Sequence, residues 1–430
     1  MSYAATLHYL YGLQKHGVKL GLETTWSLLR AFGDPQQRYA ALHVGGTNGK
    51  GSTATMAASI LRAAGYRVGL YTSPHLVAFN ERISVNGDAI SDQEIVKLTE
   101  RLRGAVGITI DPTFFEFTTV MAFQYFADQR VDLAVVEVGM GGRFDATNVL
   151  TPLVSVITNV ALDHQAYLGH TVGAIAHEKA GIIKPGLPVV VGRLNHEASA
   201  VLAVAASERR APLYRLNEAF HIEGDSVEAF RYDGMARSFS DLSCPLRGRH
   251  QLDNAACALA MLELASQEFR ISEDAVRLGL QAVRWEGRLE IVERRPLLVL
   301  DGAHNPAAAT VVGDYLARHR SEHPGSRVIL VVSLMRDKDH HGFFQAVLPS
   351  ADDVVLTRAQ LDRAATIEEL LGAVGGWRGI VHGSPSPSDA LALARRLASA
   401  GDLICVTGSL MLVGEVKALL RGCVLSSLRG

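Results

Sequence analysis

A single lysine among four glycines, in His-Val-Gly-Gly-Thr-Asn-Gly-Lys-Gly-Ser-Thr from His43 to Thr53, has the chemistry of a polyphosphate cradle. Glycine admits close approach of the backbone, so N–H groups around Gly45, Gly46, Gly49 and Gly51 can turn onto phosphate oxygens. Lys50 can reach the β- and γ-phosphates, and the hydroxyl of Ser52 or Thr53 can face Mg²⁺. The apolar run Tyr39 to Val44 precedes the loop and a helical spacing from Thr53 to Ala64 follows it, which adds a helix N-terminus to the cradle. The spacing departs from G-x-x-x-x-G-K-[ST], because Val44 stands where the first glycine belongs and Gly51 where the hydroxyl belongs. A glycine-rich turn before a helix is the plain alternative.

Other polar groups sit at the ends of apolar runs, where open α/β sheets bind ligands. Ser73-Pro74-His75 and Asn80-Glu81-Arg82 follow the run Arg67 to Tyr71. Glu137 ends the run Asp132 to Val138, and is the expected Mg²⁺ partner of a phosphate loop or, structurally, a partner for Arg143. Asp163-His164 follows the run Leu153 to Val160, and His164 can be a metal ligand or a structural histidine. By residue type alone, Lys179 in Glu178-Lys179-Ala180-Gly181 is a solvent-facing lysine at a helix end, and Phe114 and Phe115 are core.

Among the elements that carry these residues, the spacing predicts helices over 3–14 and 23–32 and a helix from Thr113 to Ala127. The near-continuous Val/Leu/Ile runs predict buried parallel strands. Residues 197–245 give mixed short signals, read as a small antiparallel extension with nothing catalytic in it. Helices are expected from His250 and over Ser272 to Val283. After Trp285 to Glu290, strand runs at 297–300, 327–332, 353–356, 379–382 and 403–406 alternate with helical stretches, the pattern of a second parallel sheet covered on both faces. Its strand ends carry Asp301-Gly302-Ala303-His304-Asn305-Pro306, Ser333 to Asp339 and Thr407-Gly408-Ser409. The expected division is 1–287, a linker at 288–296, and 297–430.

With 430 residues, 48% of them hydrophobic and 20% charged, the chain has ample material for sizeable cores, and its formal charge of −2 gives no reason to expect a nucleic-acid partner. The four cysteines show neither metal spacing nor a disulfide framework. No signal-like start and no membrane-length apolar run is visible, so a cytoplasmic protein is expected.

The motifs support a family resemblance. Gly46 to Ser52, Ser73 to Leu76, Glu137 to Asn148, Asp163-His164, Glu178 to Ile182, Asp301 to Pro306 and Gly408 to Leu410 resemble, in order, the folylpolyglutamate synthase and dihydrofolate synthase family of Mur-type ligases. The resemblance spans nearly the whole chain. It implies an α/β fold: an N-terminal P-loop, Mur-ligase-like central domain with a parallel sheet, and a C-terminal Rossmann-like α/β domain. It also implies an ATP-dependent ligase that adds L-glutamate to dihydropteroate and γ-linked glutamates to reduced folates through an acyl phosphate.

Residue by residue, the resemblance implies that Thr47, Asn48, Gly49, Lys50, Gly51 and Ser52 hold the ATP phosphates, with Asn254, Arg288 and Asp301 completing the site. Ser73, Glu137 and His164 are implied Mg²⁺ ligands, and Lys179 resembles the family lysine that is carbamylated to serve a second Mg²⁺. Lys50, Lys179, His164 and His304 are the implied catalytic residues, and His304 and Ser409 resemble positions linked to glutamate. Pterin contacts are implied at Val18, Lys19 and Leu20, at Thr113, Phe114, Phe115 and Glu116, and at Phe144, Asp145 and Ala146. A monomer is expected. Two positions depart from the pattern: Glu286 stands where the family often has Pro, and Lys19 where an acidic residue is usual.

Three alternatives compete with the bifunctional reading. A dihydrofolate synthase or folylpolyglutamate synthase of single function would use only one acceptor. A GTP-binding switch protein would need an Asn-Lys-x-Asp motif, which the sequence lacks. A peptidoglycan ligase would need a uridine-nucleotide domain ahead of the loop, and about forty residues are too few for one.

Overall fold

Parallel strands and their covering helices build two sheets whose polar ends face each other. The computed structural model describes all residues except 18, 20, 106–110, 424 and 426–430. The first sheet contains β1 (Ala40–Gly45), β2 (Val68–Tyr71), β3 (Ile83–Val85), β4 (Asp88–Ala89), β5 (Leu133–Glu137), β6 (Val154–Ile157), β7 (Val189–Val191) and β8 (Leu213–Arg215), in the order β4-β3-β2-β5-β1-β6-β7-β8. Only the β3 and β4 edge is antiparallel. Strands β1, β5 and β6 are almost wholly buried, in keeping with their mainly apolar composition, which His43, Glu137 and Ser155 interrupt.

Register decides which side chains meet. Val44 pairs with Glu137 on one side of β1, and Gly45 pairs with Ile157 on the other. The glycine loop, Glu137 and the Thr158-Asn159 turn therefore leave the sheet at one edge. Helices Lys50–Ala63 and His250–Ala265 cover one face, and helix Phe114–Asp128 lies in the core cluster on the other.

Residues 197–245 hold more structure than the mixed signals suggest. Helix His196–Glu208 and β8 precede an antiparallel sheet of β9 (His221–Ser226), β10 (Ala229–Asp233) and β11 (Ser238–Leu242), the expected extension.

The C-terminal sheet runs β12 (Glu290–Arg294), β13 (Leu297–Leu300), β14 (Val328–Val332), β15 (Asp353–Leu356), β16 (Ile380–Gly383) and β17 (Leu403–Thr407), in the order β12-β13-β17-β14-β15-β16. All pairs are parallel except β12 with β13. The stretch 288–296, expected as linker, thus contains the edge strand of this sheet. Its half-buried Glu-Ile-Val-Glu-Arg carries charges that suit an edge and hide the strand from a search for apolar runs. Glu286, at the expected proline position, instead takes ion pairs from Lys417 at 3.0 Å and from Arg421.

Candidate active site

The glycine loop ends in a helix with no side-chain cap. Helix Lys50–Ala63 begins at Lys50, with Gly49 at φ 83° as its cap residue, so its first N–H groups remain for an oxyanion. A Cβ on Gly49 would lie 2.2 Å from Asn254 Oδ1, and one on Gly51 would lie 2.6 Å from the Trp285 ring. The second distance explains the departure from the general loop pattern: an indole packs where other loops carry a hydroxyl side chain. The loop is also latched to the end of β6. Asn48 N–H donates to Asn159 Oδ1 at 2.9 Å, and Thr158 Oγ1 donates to Asn48 O at 2.6 Å.

A cavity of about 360 Å³ lies over this loop. It is lined by Thr47 to Ser52, by Ser73, Glu137, His164, Lys179 and Asn254, and by Arg288, Asp301 and His304 from the C-terminal side. Every residue expected at the phosphates and metals therefore shares one interdomain cleft.

Electrostatics inside the cleft are unusual. Lys50 Nζ donates to Thr47 O at 3.1 Å. Glu137 is buried, accepts the Ser73 N–H at 3.0 Å, and has its pKa raised by burial against the opposing pull of Lys50. It does not pair with Arg143, whose guanidinium stacks over Phe144 instead. Burial, with Lys50 nearby, lowers the Lys179 amine to about 7, while its Nζ donates to Gly46 O at 2.9 Å. The view of Lys179 as a solvent-facing helix-end lysine fails, because the side chain is 3% exposed. Gly181 after it has φ −58° in place of a left-handed cap, and its missing Cβ admits the Arg143 backbone.

His164 adopts a left-handed backbone, φ 49°, a strained conformation typical of functional positions. Burial lowers its pKa to about 4. Among the described residues no three His, Cys, Asp or Glu side chains converge as a metal site. A divalent cation here would draw on the Glu137 carboxylate, the Ser73 hydroxyl and phosphate oxygens, a hard-oxygen set that fits Mg²⁺.

The C-terminal contribution is organised by Asp301. Its two carboxylate oxygens accept the N–H groups of Leu289 and Ala303, both at 2.8 Å, and burial raises its pKa against the pull of Arg288. His304 Nδ1 donates to Gly302 O at 2.9 Å, which aims Nε2 to 3.3 Å from Asp163 Oδ2. Ser409 does not line the cleft; it caps helix Leu410–Arg421, accepting the Leu412 N–H at 3.1 Å.

The residues expected at the pterin lie beside the cleft and carry structural duties. Thr113 and Glu116 form a reciprocal capping box on helix Phe114–Asp128. Asp145 caps the 3-10 turn Ala146–Val149 and also accepts the Met140 N–H at 2.8 Å. Phe114 is core, stacked on Tyr11 with ring centroids 5.7 Å apart, and Phe115 covers Gly139, where a Cβ would be 2.4 Å away. Lys19 does not face these residues with a free ammonium, because Asp111 pairs with it at 3.2 Å. Val18 and Leu20 lie outside the described residues.

Sequence reading missed the hub of the interface. Asp163 is buried and receives Lys338 Nζ at 2.6 Å and Asn305 Nδ2 at 3.1 Å. Asn305 also exchanges hydrogen bonds with Asn48 at 3.0 and 3.2 Å. Burial works against the Asp163 charge, yet His304, His164 and Lys338 hold its carboxyl well below the usual range. Each residue stands in a polar strand-end stretch, but their convergence across 175 residues left no sequence signal. The Arg193–Asp253 pair, bidentate at 2.8 and 3.1 Å on the cleft rim, was missed for the same reason.

Known proteins share this fold. The Mur ligase middle domain matches residues 44–262, and the Mur ligase glutamate ligase domain matches residues 287–410. The dihydrofolate synthase/folylpolyglutamate synthase of Bacillus subtilis is 35% identical, over 98% of this chain and 99% of its own. The structure of E. coli FolC in complex with DHPP and ADP superposes with a TM-score of 0.89 at 33% identity, covering 98% of both chains. That of the bifunctional folylpolyglutamate synthase/dihydrofolate synthase from Yersinia pestis, complexed with AMPPNP and Mn ion, gives 0.87 at 32% identity, again over 98% of both. Full-length similarity of this degree means that the chain belongs to the dihydrofolate synthase/folylpolyglutamate synthase family of Mur ligases.

Proposed function

We propose that the protein is an ATP-dependent ligase that joins L-glutamate to dihydropteroate and adds further γ-linked glutamates to reduced folates. The observation that carries this reading is the single cleft shared by Lys50 and Glu137 from the N-terminal sheet and Asp301 and His304 from the C-terminal one. Residues up to about 287 supply the phosphate loop and the pterin contacts, and the C-terminal sheet supplies the groups for the nucleotide and the amine.

The chemistry assigns a task to each group. Thr47 to Ser52 direct N–H groups at the ATP phosphates, and Lys50 offsets their charge as a substrate carboxylate oxygen attacks the γ-phosphorus and the bond to ADP breaks. Ser73, Glu137 and His164 would hold Mg²⁺, which would supply Lewis-acid charge to the same phosphates. Asn254, Arg288 and Asp301 hold the nucleoside. His304 and Ser409 serve the incoming glutamate, the latter by setting the helix end beside it. The glutamate amine then attacks the acyl carbon, expelling phosphate and forming the amide. The Lys179 amine, neutral in part near pH 7, suits carbamylation and a second Mg²⁺. A cleft closed by Asp163, Lys338 and Asn305 shields the acyl phosphate from water. Incubation with ATP, Mg²⁺, glutamate and either dihydropteroate or tetrahydrofolate tests the reading. Amide product with both acceptors is expected, and product with only one overturns bifunctionality.

A further inference from the structure

Arg82 is a buried cation that the scheme above leaves without a task. It is 6% exposed, ends the 3-10 turn Phe79–Arg82, and is pinned to the end of β2 by the Thr72 N–H on its carbonyl at 3.0 Å. Its Nε donates to His75 Nδ1 at 2.8 Å, and its guanidinium carbon lies 5.1 Å from the centroid of the Phe114 ring. Among the described residues nothing accepts a hydrogen bond from its two Nη groups, and no carboxylate lies within ion-pair distance. The two nearby carboxylates are committed elsewhere. Glu81 accepts the N–H groups of Leu76, Val77 and Ala78 at 2.6, 2.9 and 2.8 Å, and Glu137 accepts that of Ser73.

A guanidinium only 6% exposed, whose four Nη–H donors meet no protein acceptor among the described residues, keeps them for solvent or for an oxyanion. Its flat fork matches a carboxylate, and the Phe114 ring leaves the edge of the fork for that partner. Arg82 thus touches His75, two residues after the cleft-lining Ser73, and Phe114, one of the aromatic residues assigned to the pterin. Dihydropteroate has one anionic group, its benzoate carboxylate, at the end opposite the pterin.

We propose that Arg82 binds the carboxylate of dihydropteroate through Nη1 and Nη2 and orients it toward the ATP γ-phosphate. The assignment rests on the ligase reading and adds no chemical step to it. His75 is then a positioning residue that fixes the guanidinium plane through Nε, and Phe114 supports its face.

The test compares the affinity of the full chain, with ADP present, for dihydropteroate and for the analogue in which the carboxylate is replaced by hydrogen. The wild type is expected to prefer dihydropteroate by about 10- to 100-fold, the worth of one charge-assisted pair. Arg82→Met is expected to bind both compounds equally, at the affinity of the analogue, with a ligand-free melting temperature unchanged or raised. A variant that keeps the wild-type preference, or a wild type that shows none, overturns the assignment. If Arg82→Met fails to fold, Arg82→Gln is read by the same two outcomes. Amide synthesis by the wild type, measured alongside, reports on the ligase reading separately: product with no Arg82-dependent preference refutes the Arg82 contact alone.

Discussion

Lys338 Nζ lies 2.6 Å from Asp163 Oδ1 across the domain interface, with side-chain exposures of 9% and 5%. Two buried opposite charges depend on each other, so removing one leaves the other uncompensated. Lys338→Met is expected to lower stability by about 3 kcal/mol. In a double-mutant cycle with Asp163→Asn, the pair should cost less than the sum of the singles. Urea unfolding of the four proteins measures the coupling, and additive costs would contradict it.

Gly51 is held free of a side chain by Trp285. Gly51→Ser, which restores the hydroxyl of the general P-loop pattern, is expected to destabilise the protein by about 1–3 kcal/mol through overpacking. Trp285→Leu in the same chain should recover part of that loss. Thermal melts check both, and a melting temperature unchanged in Gly51→Ser would contradict the packing argument.

His43 is fully buried, and burial lowers its pKa from 6.5 to about 3. Its Nε2 lies 2.8 Å from Thr147 Oγ1. Between those two values the unfolded chain binds a proton that the folded chain refuses, so stability falls as pH falls below 6.5. The contribution is about 1.4 kcal/mol per pH unit. Urea unfolding at pH 7 and pH 5 should show a smaller acid loss for His43→Gln than for the wild type; equal losses would contradict the assignment.

Lys179 is buried beside the phosphate loop, and the proposed carbamate makes it an anion. Lys179→Ala is expected to lower kcat about 10²- to 10³-fold, in the range of losing one electrostatic stabiliser. Acetate or propionate should restore part of the rate by occupying the vacated space. Absence of rescue over a concentration series would leave the carbamate without support.

Much of the cleft was legible because parallel strands advertise themselves. Gly45, Glu137 and Asp163 each follow a run of buried aliphatics, and sheet topology brings the ends of such runs together. What stayed hidden depends on tertiary neighbours. The Lys338–Asp163 contact has no local pattern, β12 alternates charge with Ile and Val, and Trp285 over Gly51 joins segments far apart in the chain. Thr113 and Glu116 are a different case: the T-x-x-E spacing of a capping box was present in the sequence, beside their implied part in pterin binding.

In the proposed reaction a substrate carboxylate becomes an acyl phosphate in this cleft. Dihydropteroate labelled with ¹⁸O in both carboxylate oxygens, incubated with the protein, ATP, Mg²⁺ and glutamate, tests it directly. One ¹⁸O atom is expected in each inorganic phosphate released and one in the amide. Amide formation with unlabelled phosphate, or phosphate release with no amide, would contradict it.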